Sequence, residues 1–280
     1  MRKSIPLSEL GYRLPIGYPV SGSLNRELEL GKWTWQTEKE VAEARQKAGL
    51  TPARFVGEIL ASVVKVFGGV DFSELKRPER LAVLRNAFMG DVLYTYVLIR
   101  RDAIGSLVDL EAICPNCRSR FNLEVDLNEL EAEVLEVEAE RELENAINFP
   151  VNLNGTPYSR AVIRPTRWGA LWRFSPAEVN EAILKHAIIS DSVLRLEGES
   201  GAVHNPFADE KNMEWLTKLQ IDDLLAEIDD WNAGIKLLID YECPVCLSEQ
   251  VAQLDWSFDS FFSAFSRRKK RKSYGKSFSP

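Results

Sequence analysis

The chain contains Cys114-Pro-Asn-Cys117 and, much later, Cys243-Pro-Val-Cys246, and these two short motifs hold all four of its cysteines. One pair supplies only two thiolates, whereas a tetrahedral structural zinc site takes four ligands. The sequence therefore predicts one zinc ion bound by Cys114, Cys117, Cys243 and Cys246. Such an ion would tie the middle of the chain to its end.

The residues around the two cysteine pairs also match. Gly105 and Gly234 each stand nine positions before a pair, and Ser119 and Ser248 each follow one by two positions. After the first pair, residues 121–127 alternate between apolar and polar, which is typical of a half-buried strand. Each unit is predicted to be a strand, a CPxC turn and a second strand, which we call a knuckle.

Other uses of a CxxC motif are less consistent with this sequence. A redox-active pair stands at the N-terminus of a helix, where the dipole lowers the thiol pKa, but a strand-like segment follows Cys117. Structural disulfides belong to oxidising compartments, and residues 1–10 lack the apolar core of a signal peptide. The long interval between the pairs requires two folded units that bring their knuckles together.

The predicted fold is α+β, with two related halves that each run strand, helices and CPxC knuckle hairpin and that join through one four-cysteine, zinc-ribbon-like site. A length of 280 residues suits two units of ordinary domain size. The predicted divisions are an extended arm (1–25), a first half (26–128), an acidic connector (129–148), a second half (149–256), an aromatic helix (257–266) and a disordered basic tail (267–280).

Local signals place several elements within these units. A capping box at Thr37 predicts a helix to about Gly49, and an apolar run predicts a second helix over 53–67. Asn154-Gly155 is a hairpin turn signal. Ser175-Pro176 predicts the start of a helix in the second half.

Charge is unevenly distributed along the chain. The net charge is −7, yet residues 267–280 carry seven Lys or Arg and no acid. An acidic body argues against broad nucleic-acid binding by the folded part. The tail either binds nucleic acid or acidic protein surfaces, or only adds solubility. No apolar stretch has the length of a membrane helix, so a reducing cytoplasm is the expected compartment.

Residues 124–144 contain ten acidic residues and one base, Arg141. Their pattern fits either a helix or a strand. One interpretation is a solvated face that links the two halves, and the other is a docking surface for a basic partner.

An aromatic face follows the second knuckle, because Phe258, Phe261, Phe262 and Phe265 have the i, i+3, i+4, i+7 spacing of one side of a helix. This face either packs on the protein's own core or anchors another subunit. The candidate partner-binding set is Phe258, Phe261, Phe262, Phe265, Arg267, Arg268, Lys269 and Lys270.

Catalytic signals are scarce. The two histidines are His186, within an amphipathic helix, and His204, in a predicted loop, and no phosphate-loop, dinucleotide or metalloprotease motif occurs. A zinc ion with four sulfur ligands has no open coordination position. We therefore expect a protein that is not an enzyme.

A series of weak motifs also runs in a defined order over residues 26–265. They are Pro78-Glu-Arg-Leu81, Gly90-Asp-Val-Leu-Tyr-Thr-Tyr96, the first knuckle, Val125-Asp-Leu127, Asn154-Gly155 before Arg164-Pro-Thr166, the second knuckle and Trp256-x-Phe-x-x-Phe-Phe262. This order resembles the baseplate hub assembly proteins of T-even-type bacteriophages and their contractile-tail relatives.

The resemblance implies a non-enzymatic role in building the tail baseplate, as a hub component or an assembly factor. It implies other tail proteins as partners, without a membrane or a small-molecule substrate. It implies the bacterial host cytoplasm during assembly, or the virion tail, as the location. The alternative function is a zinc-ribbon adaptor that binds nucleic acid through its basic tail.

Overall fold

The computed structural model describes residues 2–46, 50–172, 180–254 and 261–262. The chain forms β1 (Arg2–Pro6), α1 (Leu7–Leu10), β2 (Arg13–Val20), β3 (Ser23–Leu30), α2 (Trp35–Gln46), α3 (Pro52–Val63), β4 (Val64–Phe67), β5 (Val70–Asp71), α4 (Arg77–Asn86), α5 (Met89–Ile104), β6 (Leu107–Ile113) and β7 (Arg120–Asp126). It continues with β8 (Glu131–Leu135), β9 (Asn145–Leu153), β10 (Thr156–Ile163), α6 (Glu181–Ser192), β11 (Val193–Gly198), β12 (Gly201–His204), α7 (Lys218–Trp231), β13 (Gly234–Ile235), β14 (Leu238–Glu242) and β15 (Glu249–Gln253). The mixed α+β class is as expected.

None of the helices in these described ranges combines the length and the apolar character that crossing a membrane requires.

Two four-stranded antiparallel sheets have the same strand order. Strands β2, β3, β4 and β5 are neighbours in chain order, and so are β9, β10, β11 and β12. In both sheets the chain leaves for helices between the second and third strands: α2 and α3 in the first sheet, and α6 in the second.

The first hairpin of each sheet closes through a two-residue turn with both φ angles positive. Ser21 and Gly22 have φ of 52° and 83°, and Asn154 and Gly155 have 51° and 84°. Positive φ at both positions matches the right-handed twist of the flanking strands, and it favours Asn-Gly because other side chains clash there. The hairpin predicted at Asn154-Gly155 is confirmed.

The third strand of each sheet begins directly where a helix ends. The ladder register shifts between Glu29 and Leu30 in the first sheet and between Val162 and Ile163 in the second. Just beyond each shift, a backbone N–H bonds the last carbonyl of the helix. Gly31 N–H donates to Val63 O at 2.7 Å, and Arg164 N–H donates to Ser192 O at 2.9 Å.

Each sheet has its own apolar cluster. The first is built around the buried faces of α3 and α5, and the second lies between α6, α7 and strands β9 to β11. Trp168 belongs to the first cluster although it follows β10, and its indole N–H donates to Ala53 O at 3.0 Å. Burying these side chains removes apolar surface from water, which is the main driving force for folding.

Several predicted boundaries are wrong. The arm over 1–25 is instead two strands and a short helix, with Leu7, Leu14 and Ile16 fully buried. The helix over 53–67 ends at Val63, because the next four residues pair with β3 as strand β4. Gly68-Gly69, with φ of 57° and 75°, is the hairpin turn that joins β4 to β5.

Helix starts also differ from the prediction. The first long helix begins at Trp35, because Thr34 and Thr37 exchange hydrogen bonds between backbone N–H and side-chain oxygen. Thr34 is therefore the cap and Thr37 its partner three residues later. The predicted start at Ser175-Pro176 lies outside the described residues, and α6 is described from Glu181 with Asn180 accepting from Ile183 N–H.

The acidic connector contains a strand. β8 is the central strand of a sheet in which β1 and β13 are its neighbours. Ala132 and Val134 point into the protein, while Glu133 contacts Arg2 at 3.3 Å and Lys236 at 3.0 Å. Part of the acidic charge is thus neutralised internally, and this sheet physically connects the start, the middle and the end of the chain.

Phe261 and Phe262 are buried in the first apolar cluster. The Phe261 ring lies 5.4 Å from the ring of Tyr96, and the Phe262 ring lies 5.3 Å from that of Trp33. The partner-anchor interpretation is therefore wrong for these two side chains. The remaining members of the partner-binding set lie outside the described residues: Phe258, Phe265, Arg267, Arg268, Lys269 and Lys270.

Asp91 is a fully buried carboxylate in the first turn of α5. It accepts hydrogen bonds from Ile16 N–H at 2.8 Å and Gly17 N–H at 3.0 Å. Burial raises the pKa of Asp91 to about 7, although these bonds and the Arg26 guanidinium oppose the shift. Asp91 therefore links α5 to strand β2. Because its pKa is raised, ionising this buried side chain near neutral pH destabilises the folded protein.

We expect Phe261→Ala to lower the free energy of unfolding by about 3–5 kcal/mol, because it leaves a cavity in a packed core. Urea denaturation measures this loss. The control is Trp35→Ala, which removes an aromatic side chain that is 78% exposed. Equal effects of the two substitutions would contradict the burial of Phe261.

Stability should also depend on pH through Asp91. Between pH 4 and 7 the folded protein keeps a proton on Asp91 that the unfolded chain releases, so this group contributes less stability as pH rises. Asp91→Asn cannot ionise. The unfolding free energy of the parent minus that of the variant should fall by about 3 kcal/mol from pH 4.5 to 7.5. Parallel pH profiles in denaturant titrations would refute this role.

Candidate metal centre

Backbone hydrogen bonds shape both cysteine turns in the same way. In the first knuckle, Cys114 N–H donates to Ser119 O at 3.0 Å, and Arg118 N–H donates to Cys114 O at 2.8 Å. In the second, the equivalent bonds are Cys243 N–H to Ser248 O at 3.0 Å and Leu247 N–H to Cys243 O at 2.9 Å. The paired strands β6–β7 and β14–β15 support the turns, which confirms the predicted strand–turn–strand units.

The residue after the second cysteine of each pair has a left-handed backbone. Arg118 has φ of 59° and Leu247 has φ of 57°. A left-handed conformation costs a non-glycine residue roughly 1–2 kcal/mol. Both turns adopt it at the same position, because the chain must reverse there to enter its second strand.

The four sulfur atoms converge although the pairs are far apart in sequence. Cys114 Sγ lies 3.7 Å from Cys246 Sγ, and Cys117 Sγ lies 3.7 Å from Cys243 Sγ. All four sulfurs lie within 4.8 Å of one another. In a tetrahedral site with metal–sulfur bonds of about 2.3 Å, neighbouring sulfurs are about 3.8 Å apart. The cluster is therefore compatible with a zinc site.

The four cysteines differ in exposure. Cys114 and Cys243 are fully buried, Cys246 is partly buried and Cys117 is exposed. All four have free thiols. The centre thus lies at the protein surface, with one cysteine of each pair held in the interior.

Two serines bridge the knuckles at the sulfur cluster. Ser119 Oγ lies 2.9 Å from Cys117 Sγ and 3.6 Å from Cys243 Sγ. Ser248 Oγ lies 3.1 Å from Cys246 Sγ and 3.7 Å from Cys114 Sγ. Each serine therefore contacts one sulfur of its own turn and one of the opposite turn.

Hydrogen bonding favours the metal-binding form of Cys246. The Ser248 hydroxyl and backbone N–H lower the pKa of Cys246 to about 6. The Asn116 side-chain amide lies 3.6 Å from the same sulfur. A cysteine that is largely thiolate at neutral pH is ready to coordinate a metal ion, because the thiolate is the ligand form.

Contacts outside the sulfur cluster also hold the knuckles together. The rings of Phe121 and Tyr241, one from each hairpin, lie 5.6 Å apart. At the end of α5 that is far from the first knuckle, Gly90 lies against Ala233 and Gly234, and a Cβ atom on Gly90 would stand 1.7 Å from Ala233 O. Only glycine at position 90 allows α5, which leads into the first knuckle, to approach the strand that leads into the second.

A buried arginine fixes the base of the first knuckle. Arg100 donates to Leu107 O at 2.9 Å and to Phe261 O at 2.7 Å, and it also bonds Gly105 O. Its guanidinium lies 5.9 Å from the centre of the Phe261 ring. Arg100 thus joins the end of α5, the start of β6 and the C-terminal part of the chain.

The structure brings together all four predicted ligands, and the repeated position of Ser119 and Ser248 could have identified the bridging serines. No local signal marks Arg100 or the close approach of Gly90, because both depend on tertiary contacts. Among the described residues, the group of side chains that could bind a metal ion consists of the four cysteines and includes neither histidine. His186 Nε2 lies 3.0 Å from Phe207 O, and His204 is exposed on β12.

We expect Ser119→Ala and Ser248→Ala to weaken metal binding by similar factors, about tenfold each, because groups that bond the ligands tune their affinity. Competition with a chromogenic chelator measures this. Ser200→Ala, in the exposed turn between β11 and β12, is the control. A loss for only one of the two bridging serines would contradict their equivalent positions.

No protein-family model, no curated protein and no solved structure matches this chain.

Proposed function

We propose that Cys114, Cys117, Cys243 and Cys246 bind one structural zinc ion, and that the protein is a non-enzymatic scaffold for building a contractile phage tail baseplate. The observation that carries the proposal is the convergence of four thiols from two remote knuckles. Their role is to lock two parts of one chain in a fixed relative position.

The donor set favours zinc over other ions. Four thiolates in a tetrahedron suit zinc or iron–sulfur chemistry, and hard ions such as magnesium prefer oxygen ligands. The two-residue spacing within each CPxC turn and the strand on either side of it resemble a structural zinc ribbon. With sulfur at all four positions, the ion would have no open position for a substrate.

The two parts joined by the ion are, in our proposal, related halves. Support comes from the equal strand order of the two sheets, the turns at Ser21-Gly22 and Asn154-Gly155, and the matching register shifts at the third strands. The equal geometry of the two knuckles adds to this. The helices differ in number and length, which is where two diverged copies would be expected to differ.

In this proposal, the zinc ion holds the two halves in one geometry, and each half offers a surface to other baseplate proteins. The motif order from Pro78 to Phe262 supplies the link to phage hub assembly proteins. The contacts that such a protein makes would be with other tail proteins, as a hub component or as an assembly factor.

Cys114→Ser and Cys243→Ser should be equally damaging, because each removes one ligand from the same ion. Both should lose zinc and unfold at a lower temperature. In the parent protein, free zinc at one hundred times its Kd would add about 2.7 kcal/mol to the free energy of unfolding, and the variants would lose this contribution. Elemental analysis after reducing purification without chelator, together with thermal unfolding, measures both effects.

Val245→Ser is the matched control, because it changes an exposed side chain within the second CPxC turn and leaves all four sulfurs. It should keep one zinc per chain. A parent protein without zinc, or zinc retained in one cysteine variant only, would contradict the shared site.

The baseplate role is tested by gene position and co-purification. The gene should lie among tail tube, tape-measure and baseplate genes, and co-expression with those neighbours should yield a stoichiometric complex. Cys114→Ser should reduce this complex. Binding to DNA or RNA that disappears as salt is raised, without any tail complex, would instead favour the nucleic-acid adaptor.

A further inference from the structure

Exposed apolar side chains are concentrated on the two knuckles. Among the described residues, eleven large apolar side chains are exposed, and six of them lie on the knuckle hairpins. These six are Leu107, Ile113, Leu238, Val245, Leu247 and Val251. Exposed apolar side chains that are concentrated on two neighbouring hairpins favour an interaction site there.

Five of the exposed residues on the second knuckle share one face of its hairpin. Asp240 is opposite Val251 and Glu242 is opposite Glu249, and Leu238 lies two positions before Asp240. Because side chains alternate along a strand, these residues point to the same side. We name Leu238, Asp240, Glu242, Glu249 and Val251 the outer knuckle face. The opposite side carries Tyr241, which packs against the first knuckle.

The outer knuckle face has uncompensated negative charge. Glu242 and Glu249 are directly opposite each other, and like charges at such positions are destabilising. No Lys or Arg of the described residues forms an ion pair with Asp240, Glu242 or Glu249. Four thiolates around a divalent ion would add further negative charge nearby. This surface therefore favours a basic occupant that also has apolar groups.

The chain contains a segment with this chemistry. Residues 267–280 carry seven Lys or Arg and no acid, together with Tyr274 and Phe278. The chain reaches this segment from Phe262. Arg100 bonds both Phe261 O and Leu107 O, so Phe261 lies beside the base of the first knuckle.

The available length is sufficient. The docking face lies on β14 and β15, whose five residues each rise about 17 Å, whereas the ten residues from 263 to 272 can extend to about 33 Å. The basic residues can therefore reach the knuckles of their own chain.

We infer that residues 267–280 dock on the outer knuckle face of the same chain. Their Lys and Arg side chains neutralise Asp240, Glu242 and Glu249, and the aromatic groups cover Leu238 and Val251. A short covalent linker gives an effective concentration of about 1 mM or more, so that weak ion pairs are enough. This contact goes beyond the proposed function and rests on it only for the added negative charge of the zinc-bound thiolates. It is electrostatic, so high salt should release it.

Carbodiimide cross-linking of the full, zinc-loaded chain tests this contact, because the reagent joins a lysine to a carboxylate only where they touch. Peptide mass spectrometry of the monomer band should find Lys269, Lys270 or Lys272 linked to Asp240, Glu242 or Glu249. These links should disappear in 1 M salt. The triple variant Asp240→Asn, Glu242→Gln and Glu249→Gln should reduce them at least fivefold.

The control variant replaces three exposed acids elsewhere, Glu199, Glu210 and Glu214, with glutamine, and it should keep the links. Tail lysines linked equally to acids all over the surface, links confined to a dimer band, or no links at all would each overturn the proposal. A dimer band would assign the tail to a second copy.

A second measurement uses methyl NMR of the full chain. Lys269→Glu, Lys270→Glu and Arg271→Glu together should shift the methyl signals of Leu238 and Val251. The methyl signals of Leu219, which is 69% exposed on α7, should not move. Unchanged signals for Leu238 and Val251 would contradict docking of the tail on this face.

Discussion

The convergence of four cysteine sulfurs on one point is the constraint that fixes how the two knuckles meet. Four thiolates within 4.8 Å of one another would repel, and a bound cation would offset that repulsion and clamp the two knuckles together. The sulfur contacts join residues that are 126 and 132 positions apart in the chain. A bound ion would hold the second knuckle, near the end of the chain, against the first.

The metal would not create this arrangement alone. The contact of Phe121 with Tyr241, the contact of Gly90 at the start of α5 with Ala233 and Gly234, and the β1–β8–β13 sheet already bring neighbouring parts of the chain together. Small zinc modules fold only with their metal, but this chain buries two apolar cores that do not include the sulfurs. Zinc would therefore orient the knuckles and hold their outer surfaces in one geometry, more than it would decide whether the chain folds.

The metal centre was largely predictable from the sequence, because ligand type and spacing are local signals. The knuckle strands and the Asn154-Gly155 turn were predictable for the same reason. The first 25 residues were not, because their Pro and Gly residues suggest loop while pairing of β1 with β8 and burial of Leu7 and Leu14 depend on distant partners. Likewise, Val64–Phe67 continues an apolar helical pattern, and only its pairing with β3 makes it a strand. The burial of Phe261 and Phe262 depends on packing against Tyr96 and Trp33, which are distant in the sequence, so no local pattern predicts it.

X-ray absorption at the zinc edge, on the full chain purified without chelator, tests the shared site most directly. One zinc per monomeric chain, with four sulfur neighbours at about 2.3 Å, is the expected result. A first shell of nitrogen or oxygen, or two sulfurs per zinc with the other pair of cysteines left free, would contradict a single ion held by both knuckles.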